Sequence, residues 1–133
     1  MLIYLDSVIV IYALEHSGPF QARARARLNA ISASADRAAV SDLVRLECRV
    51  KPLASRDVIQ LAAYDAFFRR RGVRKLRLTK KVYDRATELR AAYGLKVPDA
   101  LHVATAIEGG CNVLLTNDAR LSRCPDIAIE ILP

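Results

Sequence analysis

Apolar positions along the chain alternate between short unbroken runs and stripes at helical spacing. Leu2 to Leu5 is such a run, suited to a strand buried on both faces. Asp6-Ser7 follows, and Val8 to Glu15 continues as a short helix. Ser17-Gly18-Pro19 breaks the chain. Pro19 then suits the first turn of a helix reaching about Ala35, with Phe20, Ala24, Leu28 and Ile31 along one stripe. Ala38 to Val40 predicts a second strand, with Ser41 or Asp42 capping a helix over Leu43 to Val50 that Lys51-Pro52 ends. Ser55 opens a further helix reaching Arg71, closed by Gly72. Leu76-Arg77-Leu78 reads as a third strand. Thr79 caps the next helix, where Val82, Ala86, Leu89 and Tyr93 keep helical spacing until Gly94. Pro98 starts a helix holding Ala100, Leu101, Val103, Ala104 and Ile107, which ends at Gly109-Gly110. Asn112 to Thr116 is the strongest strand, and Ile127 to Leu132 alternates like a strand at a sheet edge.

Strands alternating with helices over all 133 residues predict one α/β domain spanning residues 1–133. The expected architecture has three layers, α/β/α, around a central, mainly parallel sheet of about five strands. Ligands in such folds sit outside the carboxyl ends of the strands. That rule picks out particular residues.

Composition narrows the partners. Hydrophobic residues at 53% and charged residues at 26% describe a globular chain. The net charge of +7 favours polyanions, nucleic acid ahead of membrane, because no basic amphipathic helix with bulky apolar anchors stands out. A basic surface that only keeps the chain soluble would have the same charge. The absence of Trp and the 6% aromatic content argue against a base-stacking platform. Cys48, Cys111 and Cys124 show neither a disulfide framework nor CxxC metal spacing, so reduced, mostly buried thiols in a cytoplasmic protein are expected. The opening Met1-Leu-Ile-Tyr-Leu-Asp6 lacks the form of a signal peptide. No apolar stretch reaches the roughly 18 residues of a membrane span.

Asp6 lies just after the first strand, Asp118 just after the strand ending at Thr116, and Asp99 in the first turn of the helix begun by Pro98. Taken singly, each is more economically a helix cap or dipole partner. Glu47 is different. It stands one turn beyond Leu43 and Val44, on their apolar face and in mid-helix, where it cannot cap. A lone carboxylate there needs a cation or a raised pKa. Arg45, two residues away, points elsewhere. Four carboxylates gathered at one sheet edge are reconciled by a hard divalent ion such as magnesium, which takes oxygen ligands and shares sites with phosphates. Such an ion activates water and stabilises a leaving oxygen in phosphodiester cleavage.

Leu-Asp6-Ser7, Ser41-Asp-Leu-Val-Arg-Leu-Glu47, Pro98-Asp99-Ala-Leu-His-Val-Ala-Thr-Ala106 and Leu-Leu-Thr116-Asn-Asp118 resemble, in order, the four signatures of the PIN-domain nucleases. The likeness covers the whole chain and, with its size, is greatest to the VapC toxins of bacterial toxin–antitoxin pairs. It implies a PIN-like fold and a magnesium- or manganese-dependent endoribonuclease. It also implies a homodimer, inhibited by a cognate antitoxin that inserts into the active groove. By the same likeness Asp6, Glu47, Asp99 and Asp118 form the catalytic and metal-binding acidic quartet, with Ser7 and Thr116 as polar supports. The non-catalytic alternative is an RNA- or partner-binding domain of the same fold.

Other features add less. His102 shares a helix face with Asp99, and a hydrogen-bonded helix histidine is the simpler reading, since the metal supplies the nucleophile. Arg69-Arg70-Arg71, Lys75, Arg77, Lys80 and Lys81 form the densest basic region, mostly explained as solvated helix ends. A haloacid-dehalogenase-like phosphatase needs a second Asp where Val8 stands. Neither GxxxxGKS/T nor GxGxxG occurs, which removes the common nucleotide-binding loops.

Overall fold

A computed structural model describes residues 1–15 and 18–133; Ser17, part of the expected chain break, lies outside them. Five strands, β1 (Leu2–Leu5), β2 (Arg37–Ser41), β3 (Val73–Leu76), β4 (Val113–Thr116) and β5 (Ala128–Ile131), form one sheet in the order β3-β2-β1-β4-β5. Every pairing is parallel. The helices are α1 (Ser7–Leu14), α2 (Gly18–Ser32), α3 (Asp42–Ala54), α4 (Val58–Phe68), α5 (Lys80–Tyr93) and α6 (Val97–Glu108). Helices α1 to α4 pack among themselves and α5 packs on α6, which gives the expected three-layer α/β/α arrangement. No helix among the described residues is long and apolar enough to cross a membrane.

The unbroken runs of β1 and β4 become the middle of the sheet because both faces are covered. Ile3, Tyr4, Leu5, Leu114 and Leu115 are fully buried. From β1 the chain fills one side of the sheet with β2 and β3, then crosses to fill the other with β4 and β5. The reversal of strand order therefore falls at β1, and the crevice it opens lies at the carboxyl ends of β1 and β4. Asp6, directly after β1, donates its backbone N–H to Leu115 O at 3.0 Å, which ties that corner together.

Helix ends follow the sequence signals in most places. Ser41 caps α3, its hydroxyl accepting from Val44 N, and Thr79 caps α5 in the same way. Gly94 closes α5 at φ +65°, a left-handed conformation in which a side chain is strained. Three expected boundaries are corrected. Helix α3 does not stop at Lys51-Pro52 but runs to Ala54 with Pro52 inside it and buried. A proline in a last turn forfeits one backbone bond, and burial of its ring outweighs that loss. The following helix starts later, under an Asp57 cap, and ends at Phe68. The third strand lies at Val73–Leu76 rather than at 76–78, because its pairing with β2 runs from Ala38↔Val73 to Ser41↔Leu76.

The end of α6 packs hard against β3. A methyl group on Gly109 would stand 2.5 Å from Leu76 Cδ1 and 2.9 Å from Thr105 O. Gly109→Ala should therefore cost about 1–3 kcal/mol of stability, the usual range for overpacking, read as a lower midpoint in urea with an unchanged slope.

Candidate active site

The four carboxylates anticipated from the sequence reach the crevice from four different elements. Asp6 ends β1, Asp99 lies in the first turn of α6, and Asp118 follows β4. Asp6 occupies the N-cap position of α1 and accepts from Ser7 N at 2.8 Å through Oδ1. Its Oδ2 accepts from the buried Thr116 hydroxyl at 2.7 Å. Thr116 Oγ1 in turn accepts from Asp118 N at 3.1 Å. Thr116 thus fixes both the carboxylate of Asp6 and the turn that presents Asp118. Ser7 and Thr116, the two polar supports inferred from the sequence, are both buried and both on Asp6.

The capping explanation holds for two of the aspartates and not for the third. Asp118 caps the short 3-10 helix Ala119–Arg123 by accepting from Arg120 N at 3.0 Å. Helix α6 begins at Lys96 with no side-chain cap, so Asp99 is free of that duty. Its carboxyl is held above the ordinary range by burial first, then by the negative charges of Asp6 and Asp118; His102 and Arg120 offset this in part.

Glu47 comes to the crevice from the middle of α3 and meets a histidine. His102 on α6 is buried, and its Nε2 is hydrogen-bonded to Glu47 Oε1. Asp6 Oδ1 lies 3.8 Å from the same nitrogen. The Tyr4 hydroxyl stands 2.8 Å from His102 Nδ1 and 2.8 Å from Ser41 Oγ. Burial works to raise the Glu47 carboxyl, but the hydrogen bond and charge of His102, with help from the Ser7 hydroxyl, outweigh it and hold the group below its ordinary value. Arg120 grips Asp118 through two nitrogens, Nη2 to Oδ2 at 2.7 Å and Nε to Oδ1 at 3.0 Å. That contact lowers the Asp118 carboxyl.

These pairs give two of the acidic side chains a protein partner where the sequence pointed to a metal. Glu47 has the His102 imidazole and Asp118 has the Arg120 guanidinium. No three Asp, Glu, His or Cys side chains among the described residues already converge as ligands. The donor chemistry still suits a hard divalent ion, because Asp6, Asp99 and Asp118 crowd like charges that the neighbouring cations relieve only in part. The grip on Asp118 is that of a largely exposed arginine, a kind of pair that contributes little and opens readily.

Sequence reasoning missed Arg120, Tyr4 and Ser41 as parts of the site. Tyr4 did carry a signal: a hydroxyl within a run buried on both faces needs a partner. Arg120 carried none, since a loop contact two residues away has no periodicity to reveal it. A cavity of about 510 Å³ opens elsewhere, at the amino ends of β2 and β3 between Ile31, Ala38, Phe67 and Val73. The convergence of charge, not cavity size, marks the site.

A parallel α/β domain with acidic residues drawn from four elements to one crevice defines the class. The PIN domain family model matches residues 3–127, and the chain belongs to that family. Among curated proteins, none matches it by sequence. Its fold is similar to that of VapBC2 from Rickettsia felis bound to a promoter DNA fragment, with 19% identity, both chains fully covered and a TM-score of 0.83. It is also similar to DNA-bound VapBC from Salmonella typhimurium, with 20% identity, both chains fully covered and a TM-score of 0.79. VapC20 of Mycobacterium tuberculosis, described as a sarcin-ricin loop cleaving toxin, matches at 17% identity over 98% of this chain and 99% of its own, with a TM-score of 0.78.

Proposed function

We propose that this chain is a magnesium-dependent endoribonuclease, the toxin of a toxin–antitoxin pair. The observation that carries the reading is the half-buried Asp99 carboxyl, set against the charges of Asp6 and Asp118 at the carboxyl edge of the sheet with no cap to form. A protein gains nothing structural from that repulsion, and a divalent cation removes it. Asp6, Asp99 and Asp118, with Glu47 beside them, would hold the ion; manganese suits the same oxygen donors. When bound, the ion supplies a Lewis acid for a phosphoryl oxygen and a more acidic water.

The chain's own part is positioning. Thr116 and the Ser7 N–H hold Asp6, and His102 holds Glu47. Exposed Arg77 lies just beyond the carboxyl end of β3, where a cation suits an RNA backbone. An antitoxin and a second copy of the chain are the proposed protein partners. Leu46, Val50 and Leu53 support a covering partner, since they recur at helical spacing along α3 and each is more than half exposed.

Glu47 and Asp118, already partnered by His102 and Arg120, favour the second reading, a non-catalytic RNA- or partner-binding domain. One assay separates the two. Purified protein should cleave RNA with magnesium or manganese and stop when EDTA is in excess. Cleavage that persists in EDTA, by protein free of contaminating nuclease, would overturn the metal mechanism. No cleavage with either metal would leave the binding domain.

A further inference from the structure

We infer that Tyr4 is a positioning residue: through its hydroxyl it holds the His102 ring so that Nε2–H holds the Glu47 carboxylate in the crevice. Four side chains form one line, Ser41, Tyr4, His102 and Glu47, drawn from β2, β1, α6 and α3. Ser41, Tyr4 and His102 are each at most 2% exposed. An ionised carboxylate only accepts, so Nε2 is the donor to Glu47 whatever the other ring nitrogen does. The Tyr4 hydroxyl both gives and takes, and bridges Nδ1 to Ser41 Oγ in either form. Turning the ring over would put carbon where each nitrogen stands and lose both bonds of a buried ring. The tie to Tyr4 therefore selects the ring orientation.

The geometry of β1 gives the arrangement its use. Tyr4 and Asp6 are two apart, so the strand that delivers Asp6 to the crevice also delivers the hydroxyl that orients the partner of Glu47. The backbone of Ser41 ends β2, and its hydroxyl also caps α3, the helix carrying Glu47. One chain of hydrogen bonds thereby sets the relative placement of two carboxylates 41 residues apart in sequence (positions 6 and 47). Partners that orient a ligating carboxylate are worth about 10–100-fold in metal affinity or activity.

The proposal rests on the metal-nuclease reading only for its kinetic arm. In long-range proton–nitrogen spectra of the wild type, His102 should show a proton on Nε2, protected from exchange. The chain has two histidines, and His102→Gln identifies the signal. Tyr4→Phe should speed the exchange of that proton and raise the magnesium concentration for half-maximal cleavage by about 10–100-fold. His102→Gln, which keeps an N–H toward Glu47, should retain more cleavage than His102→Leu. A purely structural tyrosine would lower the melting temperature of Tyr4→Phe and leave its magnesium dependence and the His102 proton unchanged; that outcome overturns the proposal. So does a wild-type Nε2 without a proton, a result that needs no variant to fold. Wild type that cleaves no RNA at any magnesium concentration would sink the nuclease reading, while the spectra still decide the role of Tyr4.

Discussion

Replacing Asp99 with asparagine should abolish RNA cleavage and at the same time raise the melting temperature of the metal-free protein at neutral pH. The two effects share a cause. Asp99 is destabilised as an anion by burial and by Asp6 and Asp118. Its folded-state pKa lies above the ordinary 3.8, so it favours folding most when protonated. Its stabilising contribution is complete below 3.8 and is lost as pH rises through the raised value. At neutral pH the charged group opposes folding, and an uncharged amide of nearly the same shape removes that opposition. The gain should be below about 1 kcal/mol, because solvent screens a half-exposed carboxylate. It should vanish under acid conditions, where wild-type Asp99 is itself neutral. Magnesium should raise the wild-type melting temperature, since a ligand of the folded state stabilises it, and should do much less for Asp99→Asn. A variant that melts lower than wild type in EDTA and responds to magnesium as wild type does would remove Asp99 from the site.

Thr116→Val should cut cleavage by about 10–100-fold and cost about 1–3 kcal/mol of stability. Valine keeps the shape of the buried side chain but withdraws the donor to Asp6 Oδ2 and the acceptor for Asp118 N. The stability loss comes mainly from the backbone N–H of Asp118 left without its acceptor. The activity loss comes from an Asp6 carboxylate free to rotate. Thr116→Ser keeps the hydroxyl and should recover most of the cleavage. Steady-state kinetics at saturating magnesium, beside urea denaturation of the three proteins, separates the effects. A Ser variant that loses as much as the Val variant would show that the hydroxyl alone does not hold the site, and a Val variant as active as wild type would remove the hydroxyl from it.

The central architecture was legible in the sequence because burial on both faces leaves an unbroken apolar run with a conspicuous end. Leu2–Leu5 and Val113–Thr116 are such runs, and the aspartates that follow them stand where a parallel sheet opens its crevice. β3 was placed two to three residues late because an edge strand buries little. Val73 and Leu76 point inward around exposed Arg74 and Lys75, a pattern that resembles a turn as much as a strand. The Glu47–His102 contact joins residues 55 apart on different helices, a distance that no local spacing rule spans. Sequence reading required a cation for Glu47 and looked to a metal; the fold supplied an imidazole. Charge demand is local, whereas its satisfaction is tertiary.

The neighbouring positions of β1 and β4 couple the site to the completion of folding. Asp6 is among the first residues of the chain, while the backbone oxygen that anchors it and the hydroxyl that orients it belong to Leu115 and Thr116. A chain lacking β4 has no crevice at all: β1 keeps β2 on one side but has an open edge on the other, and Asp6 has lost its anchor. Closing a loop of that length comes late in folding, because its entropy must be met before distant contacts reward it. A nascent or partly opened molecule is therefore inert by construction. On the proposed nuclease reading, the capacity to cut appears only when β4 docks rather than accumulating along the way.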